Sequence, residues 1–213
     1  MSEAADIKRE EIEAALIERH GEAVYRKLKN AQAAIAGLGG LGSNIAMALV
    51  RAGIGRLLLV DFDVVDITNL NRQNYYIKHI GIPKTEAIQE VLSNINPYVE
   101  LEVKNIRVTE DNAAEIFADY DIVCEAFDRP ENKAMLVNAM LCEGKTVISG
   151  SGMAGYLSTN IIVTRKISDK FYVCGDCVTD SKDVNGLMAP RVAACAAHQA
   201  NMILRIILGE NEA

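Results

Sequence analysis

Apolar positions along this chain change period several times, and each change predicts an element. Over residues 6–29, Ile7, Ile12, Leu16, Ile17, Val24 and Leu28 recur at helical spacing, and Gly21 divides the stretch into two helices. AAIAG at 33–37 is a short continuous apolar run, the pattern of a strand buried on both faces. LGSNIAMALVRAG returns to helical spacing and stops near Gly53, and RLLLVD at 56–61 is a second buried strand. Strand, glycine turn, helix and strand in under 30 residues make a βαβ unit.

The alternation continues with a helix after Pro83, the strand VELEVKNI, the helix NAAEIFADY and the buried strand YDIVCEAF. PENKAMLVNAMLCEG is a helix with Pro130 near its start, and KTVISGSG is a strand. YLSTNIIVTRK and FYVCG then read as strands with no helix between them, before a long closing helix, PRVAACAAHQANMILRIILG, capped by Gly209. The expected fold is α/β: a Rossmann-like, doubly wound, mainly parallel sheet with antiparallel strands near the C-terminus. Residues 1–30 form an N-terminal helical arm and residues 31–213 a single nucleotide-binding domain.

Composition narrows the classes. The chain has 213 residues, half of them hydrophobic and under a quarter charged, which suits one globular core and not a disordered chain. A net charge of -7 argues against a general binder of nucleic acid or membrane surfaces. The charged N-terminus lacks a signal peptide's apolar centre, and no apolar run approaches the ~18 residues of a membrane span. Five cysteines, an odd number with three in apolar elements, point to a reducing, cytoplasmic setting.

Candidate chemistry begins at Gly37-Leu38-Gly39-Gly40-Leu41-Gly42, a G-x-G-x-x-G between a strand and a helix. One glycine permits the tight turn, one lets backbone approach a phosphate or ribose, and one permits close helix packing. The plainer alternative is a glycine turn required only for packing. Asp61 ends the second strand, where this fold holds ribose hydroxyls, so NAD and ATP fit equally at this point. The residues after it separate them. In VDFDVVDITNLNRQNYY, Arg72 offers a fork of donors suited to phosphate oxygens, with Asn69, Asn71 and Gln73 beside it. Lys84, at a helix start after Pro83, adds a second cation. Hydride transfer needs no such clamp, whereas cleavage of a polyphosphate does. Asp63 and Asp66 read as solvated loop acids. Asp128 lies past YDIVCEAF on the ligand side of the sheet, where a carboxylate holds Mg²⁺ or caps the following helix. Lys133 is either a further cation there or a solvated helix residue.

The segments GLGGLGSN, VDFDVVDITNLNRQ, PKTEA and CEAFDRPENKAMLVN resemble the ThiF/MoeB family, which is related to ubiquitin-activating enzymes; order and approximate spacing agree over residues 30–210. The NLNRQ element is far more specific than the glycine turn, and the short chain resembles the compact ThiF-type proteins of the bacterial thiamine pathway. The resemblance implies an ATP-binding adenylation domain: MgATP adenylates the C-terminal glycine carboxylate of a ubiquitin-like sulfur carrier ending in Gly-Gly, and pyrophosphate leaves. Carried over by motif, Gly40 with its neighbours Gly37, Gly39 and Gly42 approaches ATP, and Asp61 holds the ribose. Asn69, Arg72 and Lys84 contact the triphosphate, and Asp128 is the magnesium-associated acid. The resemblance also implies a homodimer in which an N-terminal arginine, Arg9 or Arg19, enters the partner's ATP site. Such chemistry needs no general base, because the attacking carboxylate is already ionised.

Many relatives carry two CxxC pairs on structural zinc. Here CGDC offers only Cys174 and Cys177. Cys195 and His198 would complete a C-x₂-C-x₁₇-C-x₂-H set, but the apolar surroundings of Cys195 favour a core role, and structural zinc is not expected. Cys124, Cys142 and Cys195 read as packing residues, leaving Cys174 and Cys177 as the accessible pair beside VTDSKDVNG. Other readings stay open: activation of a molybdopterin sulfur carrier or a modified tRNA, an NAD(P)-dependent oxidoreductase, or a non-catalytic nucleotide-binding scaffold.

Overall fold

A computed structural model describes residues 7–180, 184 and 186–213; the VTDSKDVNG segment lies partly outside the described residues. The strands are β1 (Gln32–Ala36), β2 (Arg56–Asp61), β3 (Glu100–Asn105), β4 (Ile122–Glu125), β5 (Thr146–Gly150), β6 (Val163–Ser168) and β7 (Phe171–Gly175). The helices are α1 (Arg9–His20), α2 (Glu22–Lys29), α3 (Gly40–Ala52), α4 (Lys84–Ser93), α5 (Glu110–Ile116), α6 (Pro130–Cys142) and α7 (Ala189–Leu208). The strands form one sheet in the order β3-β2-β1-β4-β5-β7-β6, parallel throughout except for β6 against β7.

Successive residues of a strand point to opposite faces, so a strand covered on both sides must be apolar at every position. Along β1, Ala33 and Ile35 enter the core under α3, α4 and α7, while Ala34 and Ala36 enter the core under α5 and α6. Leu57 and Leu59 of β2 face the first core and Leu58 and Val60 the second. This two-sided burial is why the strands read as unbroken apolar runs. The first core is closed by Ile45 and Leu49 of α3, Ile88 and Leu92 of α4, and Val192, Cys195 and Ile203 of α7. Strand order reverses at β1, which pairs with β2 on one side and β4 on the other. In open α/β sheets ligands bind outside the carboxyl ends of the strands at such a switch point. The glycine turn after β1 sits there.

Two local expectations are corrected. YLSTNII is not a strand: Thr159–Ile161 forms a 3-10 turn, and pairing begins only at Val163. The Arg191 guanidinium takes the Leu157 and Ser158 carbonyls, both at 2.8 Å, and the Ser158 hydroxyl accepts from the Asn160 amide at 3.2 Å. Those groups are therefore withdrawn from a ladder. Asp128 does not cap α6 either; Arg129 is the residue at the cap position, and it makes no side-chain cap bond.

Helices α1 and α2 lie against the amino-terminal end of the sheet. Tyr25 and Leu28 of α2 are buried, and Lys27 donates to the Leu208 carbonyl at 3.0 Å. Helix α1 buries no residue fully; Ile12, Leu16 and Ile17 are half-buried. A cavity of about 490 Å³ is lined by Arg9, Ile12 and Leu16 of α1 together with Gly53, Gly55 and Tyr98, and the Arg9 guanidinium stands 5.1 Å over the Tyr98 ring. This space is at the opposite end of the strands from the glycine turn. Among the described residues, no helix is long and apolar enough to cross a membrane.

Candidate active site

Close packing accounts for two of the turn's glycines. Gly37 has φ +95°, and a Cβ there would lie 2.8 Å from the Ala126 carbonyl oxygen. A Cβ at Gly42 would lie 1.8 Å from the Gly37 oxygen, which is the close helix–strand approach expected of the last glycine. Gly40 is hemmed in by the Val192 side chain and the aliphatic stem of Arg72. Gly39 is the open one: only the Gln73 amide comes near, at 3.8 Å from a Cβ position. Gly39 is also the N-cap of α3 and supplies no side-chain cap, leaving the first-turn amides for an anion.

The turn is held from the next strand. Asp61, buried at the end of β2, accepts from the Leu38 amide at 2.6 Å and the Asp63 amide at 2.8 Å. The Tyr75 hydroxyl donates to the Leu38 carbonyl at 2.7 Å, and burial, with Asp61 and Asp63 nearby, pushes its pKa well up. Ser43 and Asn44 of α3 reach the loop: Ser43 Oγ accepts from the Asn74 amide at 3.1 Å, and Asn44 donates to the Gly40 and Arg72 carbonyls at 2.6 and 3.2 Å. Tyr75, Ser43 and Asn44 were assigned no role from the sequence; their links between the turn, α3 and the polar loop span 28 to 37 positions.

The polar loop divides its labour. Asp66 is not a free loop acid: it caps the Ile67–Asn69 turn through Thr68, and Asn69 Oδ1 accepts from the Asp66 amide at 3.0 Å. Asn71 donates to the Leu187 carbonyl at 3.0 Å and accepts from Arg72 at 2.8 Å. Asp63 is likewise not simply solvated. Its carboxylate takes the Lys84 ammonium at 2.9 Å, and its carbonyl takes the Lys84 amide at 2.9 Å.

Among the described residues near the carboxyl edge, three cations have carboxylate partners: Lys84 on Asp63, Lys133 on Glu125 at 2.8 Å, and Arg191 on Asp176. Lys133 is therefore a structural cation, neither solvated nor free. With Ser149 and the Phe127 amide it satisfies the fully buried Glu125. Arg72 differs. Its guanidinium makes no ion pair among the described residues; it donates to the Thr68 carbonyl and Asn71, and its Nε is buried without a partner. Burial pulls its pKa down, and the charge of Asp128 pulls it back up. Asp128 itself is exposed, past β4. Thus the structure brings Gly40, Arg72 and Asp128 into one neighbourhood and ties Asp61 to the turn, while Lys84 is engaged by Asp63.

Cys174 and Cys142 are placed differently from expectation. Cys174 is fully buried in β7, and burial pushes its pKa up to about 11; Cys195 is pushed up to about 12 for the same reason. Cys142, expected in the core, is exposed, because it is the last residue of α6. Cys177 is exposed, with Arg165 Nη1 3.4 Å from its sulfur. His198 Nδ1 pairs with the Thr164 hydroxyl at 3.0 Å. Among the described residues, no group of three or more His, Cys, Asp or Glu side chains is gathered to hold a metal.

An open sheet with a glycine turn at its switch point and an acid ending the next strand has the build of a nucleotide-binding doubly wound protein. Residues 12–213 match the ThiF family, and the chain belongs to it. It is 33% identical over 190 residues to the adenylyltransferase and sulfurtransferase UBA4 of Candida glabrata, covering 86% of this chain and 44% of that protein. It is 32% identical over 193 residues to the adenylyltransferase and sulfurtransferase MOCS3 of Aedes aegypti, covering 87% and 44%. The chain thus spans under half the length of these curated relatives. Escherichia coli tRNA N6-threonylcarbamoyladenosine dehydratase, TcdA, solved with ATP, superposes with a TM-score of 0.83 at 23% identity, covering 95% of this chain and 96% of that one. At that identity the likeness shows the fold. Escherichia coli MccB with ATP gives a TM-score of 0.69 at 26% identity, over 88% of this chain and 59% of MccB.

Proposed function

We propose that this chain uses MgATP to adenylate the C-terminal glycine carboxylate of a ubiquitin-like, ThiS-like sulfur carrier, releasing pyrophosphate on the route to thiamine, in the cytoplasm. One observation carries the reading: Arg72 lays its stem over Gly40 and holds a half-buried guanidinium with no carboxylate partner among the described residues. A partly desolvated cation beside a glycine turn suits a phosphate chain. The ATP complexes of TcdA and MccB support ATP as the nucleotide.

Within this reading Gly37, Gly39, Gly40 and Gly42 form the turn that receives the nucleotide, with Gly39 offering backbone to it. Asp61 uses its remaining lone pairs for the ribose. Asn69, Arg72 and Lys84 take the triphosphate, and Arg72 and Lys84 offset the repulsion between the incoming carboxylate and the α-phosphate. Asp128 fits a magnesium-associated acid: it is an exposed carboxylate near Arg72, and one carboxylate plus phosphate oxygens and water is the usual Mg²⁺ set. Bound Mg²⁺ would neutralise charge on the departing pyrophosphate. The active unit is a homodimer. Arg9 is held over Tyr98, which leaves exposed Arg19 as the arm's candidate to enter the partner's site.

A second reading keeps the chemistry and changes the carrier, so that the sulfur serves molybdopterin or tRNA. It is favoured by UBA4 and MOCS3, whose names point to adenylyl and sulfur transfer and not to thiamine. Pyrophosphate–ATP exchange with candidate carriers ending in Gly-Gly tests both, alongside calorimetry with MgATP and NADH. Exchange that depends on a ThiS-like carrier is expected; NADH binding with no ATP binding would sink the adenylation reading.

A further inference from the structure

The Asp63–Lys84 pair joins the loop after β2 to the start of α4, 21 positions further on, by more than one link. Its side chains meet at 2.9 Å, the Lys84 amide donates to the Asp63 carbonyl at 2.9 Å, and the next pair along, Val64 and Pro83, forms an antiparallel bridge. The pair is asymmetric in exposure. The Lys84 side chain is 8% exposed and that of Asp63 49%. Lys84 is therefore a buried cation whose carboxylate partner faces solvent. One residue back, the Asp63 amide donates to Asp61, which in turn holds the glycine turn. Asp63 is thus linked both to Lys84 and, through Asp61, to the glycine turn.

We propose that Asp63 is a positioning residue: the resident counter-ion of Lys84, which keeps this cation extended and neutralised until a polyphosphate competes for it. The inference rests on the nucleotide-site reading. A buried ammonium without an anion is costly, so Asp63 makes a buried lysine tolerable in the empty protein. The same carboxylate opposes an arriving polyanion, both by repulsion and by holding the ammonium. An ammonium has three donors, so Lys84 can keep Asp63 on one while giving another to phosphate. Asp63 then fixes where that donor points. The result is a site that binds polyphosphate less tightly than its cations allow, in return for a lysine in one orientation.

Asp63→Asn separates this role from a purely structural one, because the two move affinity in opposite directions. Binding of inorganic tripolyphosphate, followed by calorimetry at low salt, is expected to tighten about threefold to tenfold in Asp63→Asn as an anion is removed beside a polyanion. Asp63→Glu keeps the charge and should stay within twofold of wild type. Carrier-dependent exchange in Asp63→Asn should turn over more slowly while the KM for ATP falls. Unchanged or weaker tripolyphosphate binding by Asp63→Asn overturns the proposal, as does equal tightening in Asp63→Glu. If Asp63→Asn does not fold, Asp63→Ser takes its place under the same criteria. Wild-type protein that binds tripolyphosphate without exchanging pyrophosphate would remove the adenylation reading and leave the counter-ion role to the binding result.

Discussion

The Leu38 amide donates to the Asp61 carboxylate across 2.6 Å, so the acid ending the second strand ties down the turn that follows the first. The two residues are 23 positions apart and adjacent only because β1 and β2 pair in parallel, Ala36 beside Val60. The shape of the turn therefore depends on an acid that is itself proposed to touch ribose. Asp61→Asn exchanges one acceptor oxygen for an amide that cannot accept, and it should loosen the turn as well as weaken nucleotide binding.

Arg72→Ala and Lys84→Ala should each remove about 2–4 kcal/mol of transition-state stabilisation. Pyrophosphate exchange reads this directly. Arg72→Ala should fold normally, since no carboxylate among the described residues is orphaned by it. Lys84→Ala leaves Asp63 half-exposed and solvated and is also expected to fold. Rates within twofold of wild type for both variants would show that the clamp lies elsewhere.

Asp128→Asn should suppress adenylate formation and raise the Mg²⁺ concentration needed for half-maximal exchange. It should leave the melting temperature nearly unchanged, because Asp128 does not cap α6 and is exposed. A large fall in melting temperature together with lost activity would assign the residue a structural role instead.

Thiol labelling should divide the cysteines by burial. Cys142 and Cys177 should react quickly with an aromatic disulfide reagent in the native protein, and Cys124, Cys174 and Cys195 only after denaturation. Adenylation needs no thiol, so the Cys174→Ser, Cys177→Ser double variant should retain exchange provided it folds; Cys174 is in the core, and melting must be checked. Fast labelling of Cys174 would contradict its burial.

The Asp176–Arg191 pair should give stability an acid limb. Burial alone would raise the Asp176 pKa, but bonds from the Thr179 and Val178 amides, the Thr179 hydroxyl and Arg191 outweigh it and hold the carboxyl below its ordinary value. A carboxylate depressed on folding contributes stability that is complete above its unfolded pKa of about 3.9 and is lost as pH falls through the folded value. Urea midpoints should therefore decline below about pH 4. Asp176→Asn strands the buried Arg191 charge and should cost about 3–5 kcal/mol near neutral pH. A loss under 1 kcal/mol would mean that Arg191 finds another partner or is hydrated.

Sequence alone was sufficient for the βαβ unit and the closing helix. Two-sided burial forces the apolar runs of β1 and β2, and α7 carries an apolar stripe ended by Gly209 in the left-handed region. It was not sufficient for the segment before β6, whose β-branched residues suit a strand but whose carbonyls are claimed by an arginine over 30 positions away. Nor did it place Cys142 and Cys174, because which face of an element meets the core depends on what packs there.

At the candidate site, the chain's pattern determined which charged and polar groups are present and, through strand and helix order, that they collect at one edge of the sheet. Only the tertiary structure decided which charges are already spent. Lys84 meets Asp63, Lys133 meets Glu125 and Arg191 meets Asp176, all between segments brought together by folding, while Arg72 is left with neutral acceptors alone among the described residues. A buried charge is stable only beside an opposite charge or a full set of hydrogen bonds, and that pairing is set by distances in space that spacing along a chain does not encode.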